Sequence, residues 1–173
     1  MPDISINSIS NANCYINGNS LLGRIEEIQL PQVKLKMVDK KALGMYGAFK
    51  LPAGIDVLEG KIKWTSFYSD TFQQYANATQ TVQLQVRASI EQWDSTGLAI
   101  QTPMVAFMTV IFHEFPLGTF KHQEPAEFET SITVYYIKIT AGGVDQLEYD
   151  ALANIYKIGG VDMLAQYTSN IGG

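Results

Sequence analysis

The sequence predicts a single, mainly β domain with hairpins and one or two short α-helices. The clearest strand covers residues 81–92, where apolar and polar side chains alternate with the period of two expected of a half-buried strand. Its apolar positions are Val82, Leu84, Val86, Ala88 and Ile90. The dipeptides Asn17-Gly18 and Gly142-Gly143 indicate tight hairpin turns, because both residues of such a turn must accept positive φ.

Two shorter segments show the same alternation. Their apolar positions, separated by lysines, are Val33, Leu35 and Met37 in one segment and Gly60, Ile62 and Trp64 in the other. We expect both to be strands with one solvated face. Pro31 cannot donate a ladder hydrogen bond, and it predicts a bulge, a bend or an edge position. Residues 104–112 and 131–140 are further strands, and the first of these needs cover on both faces because it is apolar throughout except at Thr109.

Helical patterns are short. Ser69-Asp70 is a candidate N-cap for a helix over residues 71–78. A second short helix is expected within residues 159–173, after Gly159-Gly160. Its apolar stripe would hold Val161, Leu164, Ala165 and Thr168, and Gly172-Gly173 would end it. Residues 39–54 and 114–127 fit neither period, and we interpret them as long loops that have a function or are ordered by a partner.

Length and composition limit the function. The chain has 173 residues, the size of one domain, and only 17% of them are charged, against roughly a quarter in typical domains. A net charge of −5 argues against a protein that binds the phosphates of nucleic acid without sequence specificity. Residues 1–13 lack the basic start and apolar core of a signal peptide, and no apolar run is long enough to span a bilayer. We therefore expect synthesis and folding in a cytoplasm, without stable membrane association.

The sequence offers little for catalysis or for binding a metal or cofactor. His113 and His122 lack the spacing of metal ligands, and Ser20 does not sit in a nucleophile elbow. Cys14 lies at an apolar strand position and is interpreted as a small buried hydrophobe. The carboxylate pairs Glu26-Glu27 and Glu148 with Asp150 are explained by solvated strand faces. We expect a protein that is not an enzyme and holds no cofactor or metal.

Low charge on two strands points instead to self-assembly. The strands that begin at Val82 and Met104 have almost no charged residue to protect an open edge. Such edges are satisfied by pairing with another chain. A subunit that donates one edge and accepts another forms a closed ring or an open filament.

The chain resembles the major tail tube protein family of contractile-tailed bacteriophages, which includes the tubes of phage-tail-like bacteriocins. The first matching positions are Asn17-Gly18, Gly23, Leu30-Pro31, Lys34, Lys36, Gly44-Met45-Tyr46-Gly47, Trp64 and the loop of residues 118–124. The C-terminal signature is the most specific part, and it comprises Tyr135-Tyr136, Glu148, Asp150, Gly160, Val161, Asp162, Leu164 and Asn170-Ile171-Gly172. Gln123 departs from a common glycine and Ala153 from a common asparagine, and Asn154 follows one position later.

This resemblance implies a β-sandwich or open-barrel subunit that spans residues 1–173 as one tail tube domain. Copies would form hexameric rings with a shared β-barrel, and the rings would stack into the inner tube of a virion. The implied partners are other copies of the chain, the tail sheath protein, the baseplate or tube initiator, the tape measure protein, and phage DNA that passes through without specific binding. Family members have no enzymatic activity.

Site residues follow loosely from this resemblance. The candidates for the channel wall are Gln83, Gln85 and Glu91, and the alternative is that they face the outer solvent. The candidates for contacts between subunits or stacked rings are Gly44, Met45, Tyr46, Gly47, Phe49, Leu51, Lys121 and Glu124. Arg87 would need to be neutralised or turned away from a channel.

The sequence leaves alternative functions open. The particle could be a phage or a genome-free bacteriocin or injection device. In another function class, a carbohydrate- or ligand-binding β-sandwich could use Trp93 beside Asp94 as a platform for a sugar. A hydrolase is a weaker third alternative, because the sequence shows no nucleophile with a base.

Overall fold

The structure is a computed structural model that describes residues 4–172. The predicted mainly β fold with short helices is confirmed. The strands are β1 (Ile6–Ser8), β2 (Ala12–Ile16), β3 (Asn19–Ser20), β4 (Ile25–Gln29), β5 (Leu35–Lys40), β6 (Phe49–Ile55), β7 (Leu58–Trp64), β8 (Val82–Asp94), β9 (Gly97–Phe112), β10 (Phe128–Ala141), β11 (Val144–Asp150), β12 (Ile155–Ile158) and β13 (Val161–Asp162). The helices are α1 (Ser69–Tyr75) and α2 (Ala165–Ile171).

Antiparallel pairing joins all strands except β5 and β6 into one sheet. Its strand order is β13-β12-β11-β10-β9-β8-β2-β3, and β1 pairs with β8 beyond the end of β2. Strand β7 pairs with the first half of β10, and β4 pairs with β7. The two glycine turns are confirmed, since Asn17, Gly18, Gly142 and Gly143 all have positive φ at the predicted hairpins.

A bulge at Tyr135 divides β10 into two halves. Val134 pairs with Val110 and Tyr136 with Thr109, so Tyr135 is the extra residue. The first half of β10 pairs with β7 and the second half with β11. Because the bulge shifts the alternation by one residue, Val134 and Ile137 both reach the core.

The core lies between the long strands and the β4–β7 pair. Its completely buried side chains include Ile62, Leu84, Met108 and Ile132. Helix α1 closes one end of it through Tyr75, whose ring stacks on Trp64 with centroids 5.3 Å apart and on Phe112 at 4.8 Å. These stacked rings explain why so short a helix is held in place.

The predicted cap of α1 is wrong. The N-cap is Tyr68 in an extended conformation, and Ser69 and Asp70 already belong to the helix, which ends at Tyr75. Asp70 accepts a 2.6 Å hydrogen bond from Nη1 of Arg24 instead of capping the backbone. This hydrogen bond lowers the pKa of the Asp70 carboxyl.

The C-terminal prediction is correct for the helix and wrong about its start. Gly159 and Gly160 form the turn between β12 and β13, because two adjacent positive φ angles suit a tight hairpin. Val161 is therefore a strand residue, and α2 begins only at Ala165. Gly172 ends the helix with a φ of 80°, as expected of a C-terminal glycine, and Gly173 lies outside the described residues.

Residues 39–54 are also different from the prediction. Half of them, residues 39–40 and 49–54, are paired in a hairpin of β5 and β6, and the connection of residues 41–48 is irregular. Pro52 and Gly54 mask the strand pattern in the sequence, yet Pro52 is tolerated because an edge strand can spare its N–H. Residues 114–127 do form a loop, with an isolated bridge between Thr119 and Glu127. Pro31 follows the end of β4, whose register shift lies earlier, between Ile25 and Glu27.

Candidate assembly surfaces

The edge-strand prediction for β8 and β9 is wrong within the subunit. Strand β9 pairs with β8 and β10, and β8 pairs with β9 and with β2 and β1. Their scarcity of charge follows from this interior position. One stretch is different, because β9 meets β10 only from Met104 onward and residues 97–102 are paired only with β8 within the described chain. Leu98 and Ile100 are exposed there.

The strands of the β5–β6 hairpin pair with no other strand of the described chain. The hairpin forms a two-stranded sheet of its own, and every residue of it is exposed except Ile55, which is half-buried. Val38 faces Leu51, and Lys40 faces Phe49, so Val38, Phe49 and Leu51 share one face of the hairpin with Lys36 and Lys40. Leu35, Met37 and Pro52 lie on the other face. An isolated two-stranded hairpin is only marginally stable in water. This hairpin therefore needs a partner surface to cover it.

Six of the candidate contact residues lie on this hairpin. Phe49 and Leu51 are in β6, and Gly44, Met45, Tyr46 and Gly47 are in the connection, with Tyr46 fully exposed. The other two, Lys121 and Glu124, lie in the loop of residues 114–127 and form their own ion pair at 3.6 Å. The structure thus separates the eight candidates into two groups on different elements.

The three candidates for a channel wall lie on the face of β8 that points away from the core. Gln83, Gln85 and Glu91 alternate with the buried Val82, Leu84 and Val86 of the same strand. We call the outward surface of β8, β9, the second half of β10, β11 and β12 the long-strand face. Arg87 lies flat on it, 4.9 Å from the centre of the Tyr15 ring, and donates a hydrogen bond to Oε1 of Gln85.

Ion pairs and hydrogen bonds cross the other half of the long-strand face. Lys138 pairs with Asp145 at 2.9 Å, and this contact raises the pKa of Lys138. Glu148 accepts a 3.1 Å hydrogen bond from the Tyr136 hydroxyl and lies 3.6 Å from Nζ of Lys157. The pKa of Tyr136 is raised, chiefly by burial and then by its bond to Glu148. These contacts hold charged side chains in fixed positions along the sheet.

Residues 4–172 contain no group of three or more His, Cys, Asp or Glu side chains placed to hold a metal ion. Cys14 is buried, and burial raises the pKa of its thiol to about 12. The indole of Trp93 is exposed and donates a 3.4 Å hydrogen bond to Glu91. None of the helices described is long and apolar enough to cross a membrane.

A family model described as phage tail tube protein FII matches residues 6–172. The chain belongs to this family. It is a structural subunit of a phage tail tube, which confirms the resemblance carried by the sequence motifs.

Relatives agree with this assignment. The tail tube protein of Escherichia phage P2 is 28% identical over 163 residues, covering 92% of this chain and 94% of the relative. The PVC sheath–tube complex of an extracellular contractile injection system matches with a TM-score of 0.54 at 10% identity, covering 76% of this chain and 88% of that chain. The cap that terminates the tube of the anti-feeding prophage also gives 0.54, at 9% identity, with 75% and 87% covered. These solved structures show the shared fold.

The C-terminal signature of this tail tube protein forms turns and caps. Asp150 Oδ1 accepts hydrogen bonds from the backbone N–H groups of Leu152 and Ala153, and Asn154 completes that turn with a φ of 56°. Asp162 Oδ1 likewise accepts from the N–H of Leu164. Asn154 thus supplies the left-handed residue, because asparagine tolerates positive φ better than most residues.

Gly160 of the signature and Gln123 of the loop of residues 118–124 both have positive φ angles. Gly160 has a φ of 82°, which favours glycine at the β12–β13 turn. Gln123 has a φ of 59°, in the left-handed region that favours glycine. Gln123 therefore adopts a left-handed backbone conformation that is strained for a residue with a Cβ atom.

Proposed function

We propose that this tail tube protein assembles as hexameric rings, which stack into the hollow inner tube of a contractile tail. Strands from each copy join a shared β-barrel around the channel. The tail sheath protein surrounds the tube, the baseplate or tube initiator begins its growth, and the tape measure protein occupies it before DNA. The protein is made in the host bacterial cytoplasm, acts within the virion, and has no enzymatic activity or stable membrane association.

The β5–β6 hairpin carries this proposal. Its apolar face, which holds Val38, Phe49 and Leu51, is exposed in the subunit, and its strands pair only with each other. A folded domain gains stability when such a surface is covered, and a protein that forms a tube has copies of itself available to cover it. The open edge of β9 at residues 97–102 supplies a second place where copies can meet.

The long-strand face supports the proposal for the channel wall. Gln83, Gln85 and Glu91 project from it. Asp145 and Glu148 lie on the same face, and each is paired with a lysine, Lys138 and Lys157 respectively. A wall of amides and internally paired charges offers phosphate few free cations and leaves DNA free to slide. Arg87 lies over the Tyr15 ring and donates a hydrogen bond to Gln85, which holds its side chain along the surface.

Shortening the hairpin tests the proposed role. Replacement of residues 39–50 by Asn-Gly would close the strand pair at Val38 and Leu51, which already face each other. We expect a folded, soluble subunit that forms no tubes under negative-stain electron microscopy, while the unaltered chain forms stacked rings. Tubes made by the shortened chain would contradict the proposal. A variant with a Gly/Ser replacement of equal length at residues 41–48 separates the effect of the strands from that of the tip.

A genome-free device is the second candidate. The similarity to tubes of an extracellular contractile injection system favours it on fold alone, whereas the relative from phage P2 favours an infectious phage. Purified particles from the native source distinguish the two. DNA protected from nuclease inside the particle is expected for a phage, and its absence from intact, uncontracted particles indicates a device without a genome.

A further inference from the structure

Charge is distributed unevenly between the hairpin and the rest of the chain. Residues 34–55 contain five lysines and one aspartate, a net charge of +4. The remaining residues contain seven basic and sixteen acidic side chains, a net charge of −9. The hairpin is therefore a cationic arm on an anionic body.

Most of this positive charge is unsatisfied. Lys50 pairs with Asp39 across the hairpin at 3.9 Å. The other four lysines of the arm have no carboxylate of residues 4–172 within 4.0 Å, and they are Lys34, Lys36, Lys40 and Lys41. Arg87 is the remaining cation without an ion pair in this part of the chain, so the free positive charge is concentrated on the arm.

The outward surface of β4, β7 and the first half of β10 has the opposite charge. We call it the short-strand face. Glu59, Lys61 and Lys63 alternate along β7, with Glu129 on β10 and Glu27 on β4 beside them. Its carboxylates are Glu26, Glu27, Glu59, Glu114, Glu127 and Glu129, against the two lysines Lys61 and Lys63.

Two of these carboxylates are already engaged. Lys61 pairs with Glu129 at 2.7 Å and Lys63 with Glu26 at 3.1 Å, and these partners raise the pKa of both lysines. Glu27, Glu59, Glu114 and Glu127 have no ion pair within residues 4–172. This face thus has four carboxylates without an ion pair, one of which, Glu114, accepts a hydrogen bond from Ser131, and the arm has four lysines without one.

A groove of about 430 Å³ lies on the same face. Its lining is mainly polar and includes the carboxylates of Glu59 and Glu114 and the cations Lys34 and Lys61. Leu30 and Val57 add a small apolar surface. The carboxylates suit the lysines of an arm from another copy, and the two apolar residues suit its apolar side chains. The arm of the same chain does not cover the face, because both faces of that arm are exposed and its root at Lys34 borders the groove.

We propose that the β5–β6 hairpin of one copy docks on the short-strand face of a second copy. The apolar side chains of the arm cover the groove, and its lysines pair with Glu27, Glu59, Glu114 and Glu127 around it. This inference rests on the proposed function for the arrangement of copies and adds the identity of the receiving surface. Complementary charge selects this surface and its register, and the apolar contact holds the arm there.

A zero-length carbodiimide cross-linker tests the contact directly, because it joins amines to carboxylates that touch. A mixture of chains labelled with nitrogen-14 and nitrogen-15 is assembled, cross-linked and digested for mass spectrometry. We expect mixed-isotope links between Lys36, Lys40 or Lys41 and Glu27 or Glu59. Tubes whose arm lysines link only to other surfaces would overturn the docking and leave the proposed function intact. The expected links in a preparation that forms no rings or tubes would support the docking and refute the tube assembly.

Charge reversal provides an independent test. Chains carrying K36E, K40E and K41E, and chains carrying E27K, E59K and E127K, should each fail to form sedimenting tubes. Mixing the two variants should restore tubes, because the reversed arm meets a reversed face. The control K36R, K40R and K41R keeps the charge and should assemble normally. Tubes formed by the reversed arm alone, or no recovery on mixing two folded variants, would overturn the proposal.

Discussion

The Trp64 indole donates a 3.1 Å hydrogen bond from Nε1 to the Thr130 hydroxyl, and both side chains are buried. Thr130 in turn reaches the backbone carbonyl oxygen of Ile62 at 3.4 Å. The pair joins β7 to β10 beneath the short-strand face, and it satisfies polar atoms that water cannot reach. The same indole ring stacks on Tyr75 of α1, so this contact links two strands and a helix.

Replacement of Thr130 by valine should destabilise the subunit. The side chain keeps its shape, but the Trp64 N–H loses its buried acceptor, which costs about 1–3 kcal/mol. Denaturant unfolding followed by tryptophan fluorescence measures the change. The control Thr140→Val lies on the outward side of the same strand, where its hydroxyl has no hydrogen-bond partner within residues 4–172, and should cost less than about 0.5 kcal/mol. Equal effects of the two substitutions would contradict the role of the buried bond.

Alkaline pH should weaken the fold. Burial raises the pKa of the Cys14 thiol from 9.0 to about 12 and that of the Tyr75 hydroxyl from 10.0 to about 12. Above pH 9 the unfolded chain releases protons that the native chain retains, so the free energy of unfolding falls as the pH rises toward 12. Urea unfolding at several pH values measures this fall. Cys14→Ala should remove the part of the slope that begins near pH 9, and an unchanged slope would count against the assignment.

The strained position in the loop of residues 114–127 gives a third prediction. Gln123 has a φ of 59°, a conformation that costs a non-glycine residue about 1 kcal/mol. Gln123→Gly relieves this strain while adding disorder to the unfolded chain, so its net effect should be near zero. His122→Gly adds the disorder alone and should be the more destabilising by about 1 kcal/mol. Thermal unfolding compares the two, and the reverse order would show that the loop relaxes to another conformation.

Gln85→Glu tests the placement of the long-strand face. Oε1 of Gln85 accepts a hydrogen bond from Arg87, and a glutamate oxygen would accept the same bond with added charge. If this face lines the channel, the variant should form tubes of normal diameter under negative stain. Leu84→Glu is the control that buries a charge and should prevent folding. Loss of tubes by folded Gln85→Glu chains would place Gln85 in a contact between copies.

Local patterns account for the parts of the fold that the sequence predicts. The strand around Leu84 and the turns at Asn17-Gly18 and Gly142-Gly143 depend on side-chain alternation and on φ, which neighbouring residues determine. The bulge at Tyr135 depends instead on where β7 begins, at Leu58, and where β11 ends, at Asp150, and these strands are distant in sequence. The interior position of β9 is likewise a matter of topology, which a low-charge strand does not reveal.

The candidate site was predictable to a similar extent. Residues 39–54 attract attention because they fit neither period, and six of the candidate contact residues belong to them. The structure shows that these six are exposed, and their role in contacts between copies stays a prediction. The strand pairing of this segment is obscured by Pro52. Its charge is visible in the sequence, but the matching carboxylates of the short-strand face are brought together only when β4, β7 and β10 pair.

Gly60 gives the last prediction, because its position in β7 leaves no room for a side chain. A Cβ at this residue would lie 2.7 Å from the carbonyl oxygen of Gln29 and 3.2 Å from a side-chain carbon of Ile132. The first neighbour is backbone, so the strain of Gly60→Ala would fall on the pairing of β4 with β7 and should cost about 1–3 kcal/mol. Gly47→Ala is the control, since its Cβ would meet nothing within 4 Å. Chemical denaturation should show Gly47→Ala within about 0.5 kcal/mol of the unaltered chain. A similarly small change for Gly60→Ala would mean that β4 can move outward without loss, and the short-strand face would then be a flexible surface.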